Sequence, residues 1–117
     1  MPFSDAAMVV AANALRTAVT HLQLHSGDPG AAGTSNVTTA ARQAVTWSSV
    51  TGDGDFGLSG NIAFTGVAAN GGATWVSGWS ASSSGTFYGR WQLTGDATAN
   101  AAGEYTVTAL TLNGSST

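Results

Sequence analysis

The stretch from Thr20 to Gly30 constrains the fold most, because it encodes both a strand and the turn that ends it. Leu22 and Leu24 alternate with polar residues, a period-two pattern typical of a half-buried strand with inward-facing leucines. The polar residues are predicted to face outward: His21, Gln23 and His25. Gly27-Asp28-Pro29-Gly30 then reverses the chain, since proline lacks a ladder donor and glycine accepts positive φ. We expect the Asp28 side chain to bond nearby amides of this turn.

Further short strands follow, separated by turn signals every ~8–12 residues. They are predicted at 41–47, 56–58, 62–64, 74–79, 86–93 and 104–112. The segment 56–64 reads either as two strands or as one strand bent at Ser59-Gly60. This spacing indicates a mainly β fold, an antiparallel β-sandwich of the jelly-roll or Ig-like kind with 6–8 short strands.

One helix precedes the strands. Ser4 is a suitable N-cap, and Asp5 lies where the helix dipole favours an anion. Apolar residues that include Met8 and Leu15 recur at helical spacing, which predicts a helix over about 5–17. A helix this short and alanine-rich needs a sheet or a neighbouring subunit to lie on. The expected organisation is a single domain over 1–117, with the helical segment 1–19, a sandwich over 20–112 and a tail over 113–117.

Low charge limits the possible partners. Charged residues make up 8% of the chain, the net charge is −3, and the only cations besides histidine are three arginines. Phosphate-backbone binding needs clustered cations, so we expect no nucleic-acid partner. No apolar run approaches the ~20 residues that span a bilayer, and the N-terminal segment lacks the basic start of a secretory signal. With no cysteine, disulfides and thiolate metal sites are excluded.

Two pairs of residues raise the question of ion binding. His21 and His25 would be separated by about 13 Å on one extended strand, too far to share an ion within one subunit, although two copies could bring them together. Asp53 and Asp55 occupy a Gly-Asp-Gly-Asp-Phe-Gly segment that matches only half of a calcium loop. Turn chemistry is the favoured interpretation, and no metal or cofactor is predicted.

The sequence does not favour catalysis. It contains no Gly-x-Ser-x-Gly elbow, and its six acidic residues are spread over turns and termini. The tryptophans and tyrosines could form a stacking platform for a sugar, but core and subunit contacts are the favoured interpretation. Arg42 and Arg90 are each expected to lie across an aromatic ring or to pair with an acid.

Three segments resemble a known family. Leu24-His25-Ser26-Gly27-Asp28-Pro29-Gly30 is similar to the Leu-His-Thr-Ala-Asp-Pro-Gly signature of small structural proteins of tailed bacteriophages, of the tail-fibre or minor tail type. The segment 41–47, Ala-Arg-Gln-Ala-Val-Thr-Trp, and the segment 79–89 resemble later family segments in the same order. In one departure, Val37 follows Asn36 where the family often has glutamate.

The resemblance implies a non-enzymatic virion component, assembled in the host cytoplasm and acting through contacts with other virion proteins of the tail or capsid. A homo-oligomer is expected, with a trimer favoured. Two alternatives stay open: a capsid decoration protein, and a carbohydrate-binding module that adsorbs the particle to a host surface. The predicted assembly or ligand contacts are Met8, Leu15, His25, Asp28, Trp75 and Trp91.

Overall fold

The computed structural model describes residues 4–52, 54–95, 97–108 and 110–112. Within these ranges the chain forms one helix and eight short strands: α1 (Asp5–Ala18), β1 (His21–His25), β2 (Gln43–Ala44), β3 (Phe56–Gly57), β4 (Ile62–Phe64), β5 (Trp75–Trp79), β6 (Phe87–Gln92), β7 (Tyr105–Val107) and β8 (Thr111–Leu112). The predicted mainly β class with one N-terminal helix is confirmed. The predicted tail 113–117 lies outside the described residues.

The strands form antiparallel sheets in a sandwich-like arrangement. The largest sheet has the order β2-β1-β5-β6, and two smaller pairs join β3 to β8 and β4 to β7. The core contains Leu22, Leu24 and Val76 from the large sheet, together with Phe56 and Phe64 from the small sheets. Burial of these apolar side chains is the main stabilising term of the fold.

The helix begins and ends close to the predicted residues. The Ser4 hydroxyl accepts a hydrogen bond from the Ala7 amide at 3.2 Å, which caps the first turn, and Arg16 lies in the last turn. Ala12 is the one buried residue of the helix. The helix therefore lies on the sandwich through a narrow contact, as its alanine-rich sequence indicates.

Several predicted strands are shorter in the structure because the chain changes partners. The segment 41–47 pairs with β1 only at Gln43–Ala44, and Trp47 then bridges to Leu58 near the small sheets. The predicted strand 104–112 contains β7, which pairs with β4, and β8, which pairs with β3. The 56–64 segment is two strands for the same reason. A local alternation pattern cannot show where a strand leaves one partner for another.

The predicted outward orientation of His25 is wrong. Leu22 and Leu24 are fully buried as expected, but His25 is also 0% exposed. The segment 26–40, which lies between the first two predicted strands, folds back across this end of the large sheet. Pro29 in this segment is among the fully buried side chains, and the Gly33 backbone packs against the ring of Phe87. The loop therefore covers a sheet face that the sequence pattern assigns to solvent.

Candidate functional site

An apolar cleft separates α1 from the sandwich. It has a volume of about 300 Å³, and its lining includes Met8 and Leu15 from the helix and Phe56, Trp91 and Leu112 from the strands. Met8, Leu15 and Trp91 are half-buried. The structure thus brings together three of the six residues predicted to make contacts, although they are far apart in the sequence.

Two glycines make room for the Trp91 ring at the base of this cleft. A Cβ atom at Gly78 would lie 2.8 Å from Trp91 Cζ3 and 2.9 Å from Val19 Cγ1, and a Cβ atom at Gly89 would lie 3.0 Å from Trp91 Cζ2. Gly78 and Gly89 are direct cross-strand partners. The indole ring therefore lies over Gly78 and Gly89, because these two paired residues have no side chains that would occupy the space.

The tryptophans do not form one stacking platform. Trp75 pairs with Gln92 and Val76 pairs with Trp91 across β5 and β6, so Trp75 and Trp91 lie on opposite faces of the sheet. Trp47 and Trp79 are buried, with 8% and 7% exposure. A sugar could therefore contact Trp75 or Trp91, but not both at once in one subunit.

Trp75 lies on the same sheet face as an exposed ion pair. Arg90 is opposite Ser77, two residues along from Trp75, and its Nη1 lies 3.2 Å from Asp28 Oδ1. The two charged side chains are 39% and 54% exposed. The same Asp28 oxygen accepts a hydrogen bond from the Gly30 amide at 2.9 Å, which confirms the predicted turn role of this carboxylate. Asp28 and Arg90 thus present an acceptor and a donor to solvent, side by side.

His25 forms a buried hydrogen-bond chain on this face. Its Nδ1 lies 2.8 Å from the Ser35 carbonyl oxygen, so Nδ1 carries a proton and donates it. Its Nε2 lies 2.7 Å from Ser77 Oγ, and that oxygen also accepts from Trp79 Nε1 at 2.7 Å. Every polar atom is satisfied when the imidazole is neutral and the Ser77 hydroxyl donates to Nε2. Burial lowers the pKa of His25, and nearby Arg42 lowers it further, while backbone hydrogen bonds oppose the shift.

Ser77 Oγ and His25 Nε2 are as close as a nucleophile and its general base would be, at 2.7 Å. The pair nevertheless lacks the other requirements of a catalytic site. Ser77 is 0% exposed, and its hydroxyl is already occupied by the Trp79 indole. The second nitrogen of His25 bonds a backbone carbonyl rather than a carboxylate. The contact therefore joins the loop to the sheet and offers no access to a substrate. Ser77 was not predicted, although a serine within the apolar run Trp-Val-Ser-Gly-Trp is a signal of a buried polar contact.

The ion-binding hypotheses receive no new support. Among the described residues no three histidine, aspartate or glutamate side chains come close enough to hold a metal together. His25 is buried, and His21 Nδ1 lies 2.9 Å from Thr20 Oγ1. Asp53 lies outside the described residues, and Asp55 closes a tight turn through backbone bonds with Thr51.

A search of the described residues for a helix with the length and hydropathy of a membrane span finds none.

Comparison with known proteins identifies the family of the chain. A protein-family model described as podophage GP4 fiber I protein gp80 matches residues 6–115, almost the whole chain. No curated protein and no solved structure matched the chain. The matched residues include α1 from its second residue onward and all eight described strands.

Proposed function

The chain belongs to the podophage GP4 fiber I protein gp80 family, and on this premise we propose that it is a non-enzymatic component of a phage tail fibre that acts through assembly contacts. Its membership indicates a virion component. The proposed contacts are Met8, Leu15 and Trp91, and the proposed state is a homo-oligomer, with a trimer favoured.

The observation that carries the proposal is the open apolar cleft beside α1. Met8 and Leu15 line the cleft together with Trp91 yet stay half-buried, and Ala12 is the only buried residue of the helix. Completing the burial of such side chains against a neighbouring copy is worth about 25 cal/mol per Å² of apolar surface. A chain with 8% charged residues has few ion pairs to offer, so apolar contact is the available means of association.

Replacing Met8 with aspartate is expected to reduce incorporation of the protein into particles at least tenfold, because a carboxylate cannot be buried unpaired against a neighbour. Mass spectrometry of purified particles measures the copy number. Val10→Asp is the matched control, since Val10 is 70% exposed and lies about 200° from Met8 around the helix. The Val10 variant should assemble normally. Normal incorporation of the Met8 variant, or loss with the Val10 variant alone, contradicts the proposed surface.

The position in the particle distinguishes tail from capsid. Image reconstruction of intact particles should place the protein at the tail, in copies related by three- or six-fold tail symmetry. Density at capsid lattice positions would instead support the decoration alternative. Light scattering of the purified protein tests the favoured trimer separately, because a monomer in solution would mean that the particle supplies the assembling surface.

A second candidate function is host adsorption through a carbohydrate. It is favoured by the half-buried Trp75 ring beside the exposed Asp28–Arg90 pair, an aromatic surface next to a hydrogen-bond acceptor and donor. In a glycan array, Trp75→Ala should reduce binding tenfold or more, whereas Trp91→Ala should leave it unchanged because that ring lies on the other sheet face. No binding by the wild-type protein, or equal losses in the two variants, would count against this candidate.

A further inference from the structure

We propose that His25 is the pH-sensitive latch of the 26–36 loop, so that protonation of its imidazole opens this loop while the two-layered core stays folded. The loop would thereby uncover the face of the large sheet around Trp79 and Phe87. This conformational device is independent of the assembly surface proposed above, because the two lie on opposite faces of the sheet.

His25 lies where the loop and the sheet meet. It is the last residue of β1, its Nδ1 donates to the Ser35 carbonyl in the loop, and its Nε2 accepts from Ser77 in β5. The side chain is 0% exposed. One imidazole therefore connects the loop to two strands without contact with water.

Protonation disrupts this arrangement at a defined atom. A proton on Nε2 turns that nitrogen from an acceptor into a donor, so the Ser77 hydroxyl hydrogen loses its acceptor. The Ser77 oxygen would then accept from both His25 and the Trp79 indole. The cation would also be buried, with neutral oxygens as its two hydrogen-bond partners.

The charged groups around His25 do not offset this cost. Arg42, which precedes β2, opposes a second positive charge. Asp28 in the loop is paired with Arg90 of β6 at the surface, and His21 lies at the other end of β1. Opening of the loop instead gives the imidazolium access to water, which is the energetic advantage of the open state at low pH.

The other polar contacts between the loop and the sheet are exposed ones, the Asp28–Arg90 pair and the bond from the Thr74 hydroxyl to the Ser26 carbonyl, and further bonds lie within the loop itself. The Ser35 amide donates to the Pro29 carbonyl and the Ser26 amide to the Asn36 carbonyl, both within the loop and its stem. The Gly33 backbone rests on the Phe87 ring, and the side chain of Pro29, also in the loop, is buried. The strand pairs β1·β5 and β5·β6 do not depend on the loop, so the sheet can persist when it lifts.

The sign and size of the effect follow from proton linkage. The pKa of His25 is lowered in the closed state relative to its usual 6.5, so the open state binds the proton more tightly. The closed loop therefore has its full stability above about pH 6.5 and loses stability as the pH falls. The opening constant rises about tenfold per pH unit below 6.5, until the pH reaches the closed-state pKa.

Amide hydrogen exchange by NMR between about pH 7 and pH 5, corrected for intrinsic rates, tests the proposal. Protection of the Ser26 and Ser35 amides should fall as the pH drops below 6.5, by up to tenfold per pH unit, while protection of the Leu93 amide, which bonds Thr74 between β5 and β6, should hold steady. His25→Asn, which can still donate to Ser35, should abolish the pH dependence. His21→Gln, the matched control on the same strand, should retain it.

Two results would overturn the latch. One is a parallel loss of protection at Ser26, Ser35 and Leu93, which indicates global acid unfolding rather than local opening. The other is an unchanged pH dependence in the His25→Asn variant. If that variant does not fold, the imidazole resonances of the wild-type protein are followed by NMR instead. The pH dependence of amide exchange in the loop must then coincide with the protonation of His25 and not with that of His21. Particle incorporation is a separate measurement, so neither result bears on the assembly proposal.

Discussion

Replacing Arg42 with alanine is expected to lower the free energy of unfolding by about 2–4 kcal/mol, because one half-buried guanidinium holds three separate segments together. Its Nε donates to Gln23 Oε1 on β1 at 3.1 Å. Its Nη1 donates to the carbonyl oxygens of Ala81 at 3.0 Å and Ser84 at 2.7 Å, in the turn that connects β5 to β6. The same group lies 4.0 Å above the centre of the Trp79 ring.

Arg42→Lys should recover little of this loss. An ammonium cannot donate in the divergent directions of the guanidinium plane while stacking flat on an indole. Urea unfolding monitored by circular dichroism measures the change. Arg90→Ala is the matched control, because Arg90 forms a surface pair with Asp28 whose side chains are 39% and 54% exposed, and loss of such a pair costs about 0–1 kcal/mol. Equal losses for the two arginines would show that Arg42 does not organise this face.

The sequence could predict that Arg42 makes a structural contact, but it could not predict which group Arg42 contacts. The pattern left open whether Arg42 lies across an aromatic ring or pairs with an acid. The structure shows the ring contact for Arg42 and the acidic partner for Arg90. Both partners are distant in the sequence, and the choice depends on how the 26–40 loop and the 80–85 turn pack over the sheet.

The helix, the turn at Gly27–Gly30 and the alternation of β6 could be predicted because each depends on neighbours within a few residues. Ser4 caps its own first turn, and Asp28 bonds the amide of Gly30. The burial of His25 could not be predicted in the same way. A period-two pattern identifies which residues share a face, but not whether a later loop covers that face.

The cleft illustrates the same limit for the candidate site. Met8 and Leu15 were predicted from helical spacing, and Trp91 from strand alternation, but nothing local in the sequence indicates that they meet. Their meeting depends on Gly78 and Gly89, which leave space for the indole on adjacent strands. Glycine in a strand interior signals a bulge or a close approach of another group, and here the approaching group is the indole ring.

Gly103→Ala is expected to lower the free energy of unfolding by more than about 4 kcal/mol, or to leave no folded protein at all. The new Cβ atom would lie 2.1 Å from the Val67 carbonyl oxygen, at a residue whose φ is +74°. The neighbouring atoms cannot easily move apart, because the Val67 amide donates to the Gly103 carbonyl at 3.0 Å. The clash is thus between two backbone segments that are already tied together.

Gly95→Ala separates this clash from the cost of a left-handed backbone. Gly95 also has a positive φ, +92°, but a Cβ atom there would have no neighbour within 4 Å. Conformational strain alone costs about 1–2 kcal/mol, so this variant should fold with a modestly lower urea midpoint. The difference between the two variants measures how tightly the Val67 loop is fixed to the start of β7. A Gly103 variant as stable as the Gly95 variant would mean that this junction yields and that the contact between Gly103 and Val67 contributes little to stability.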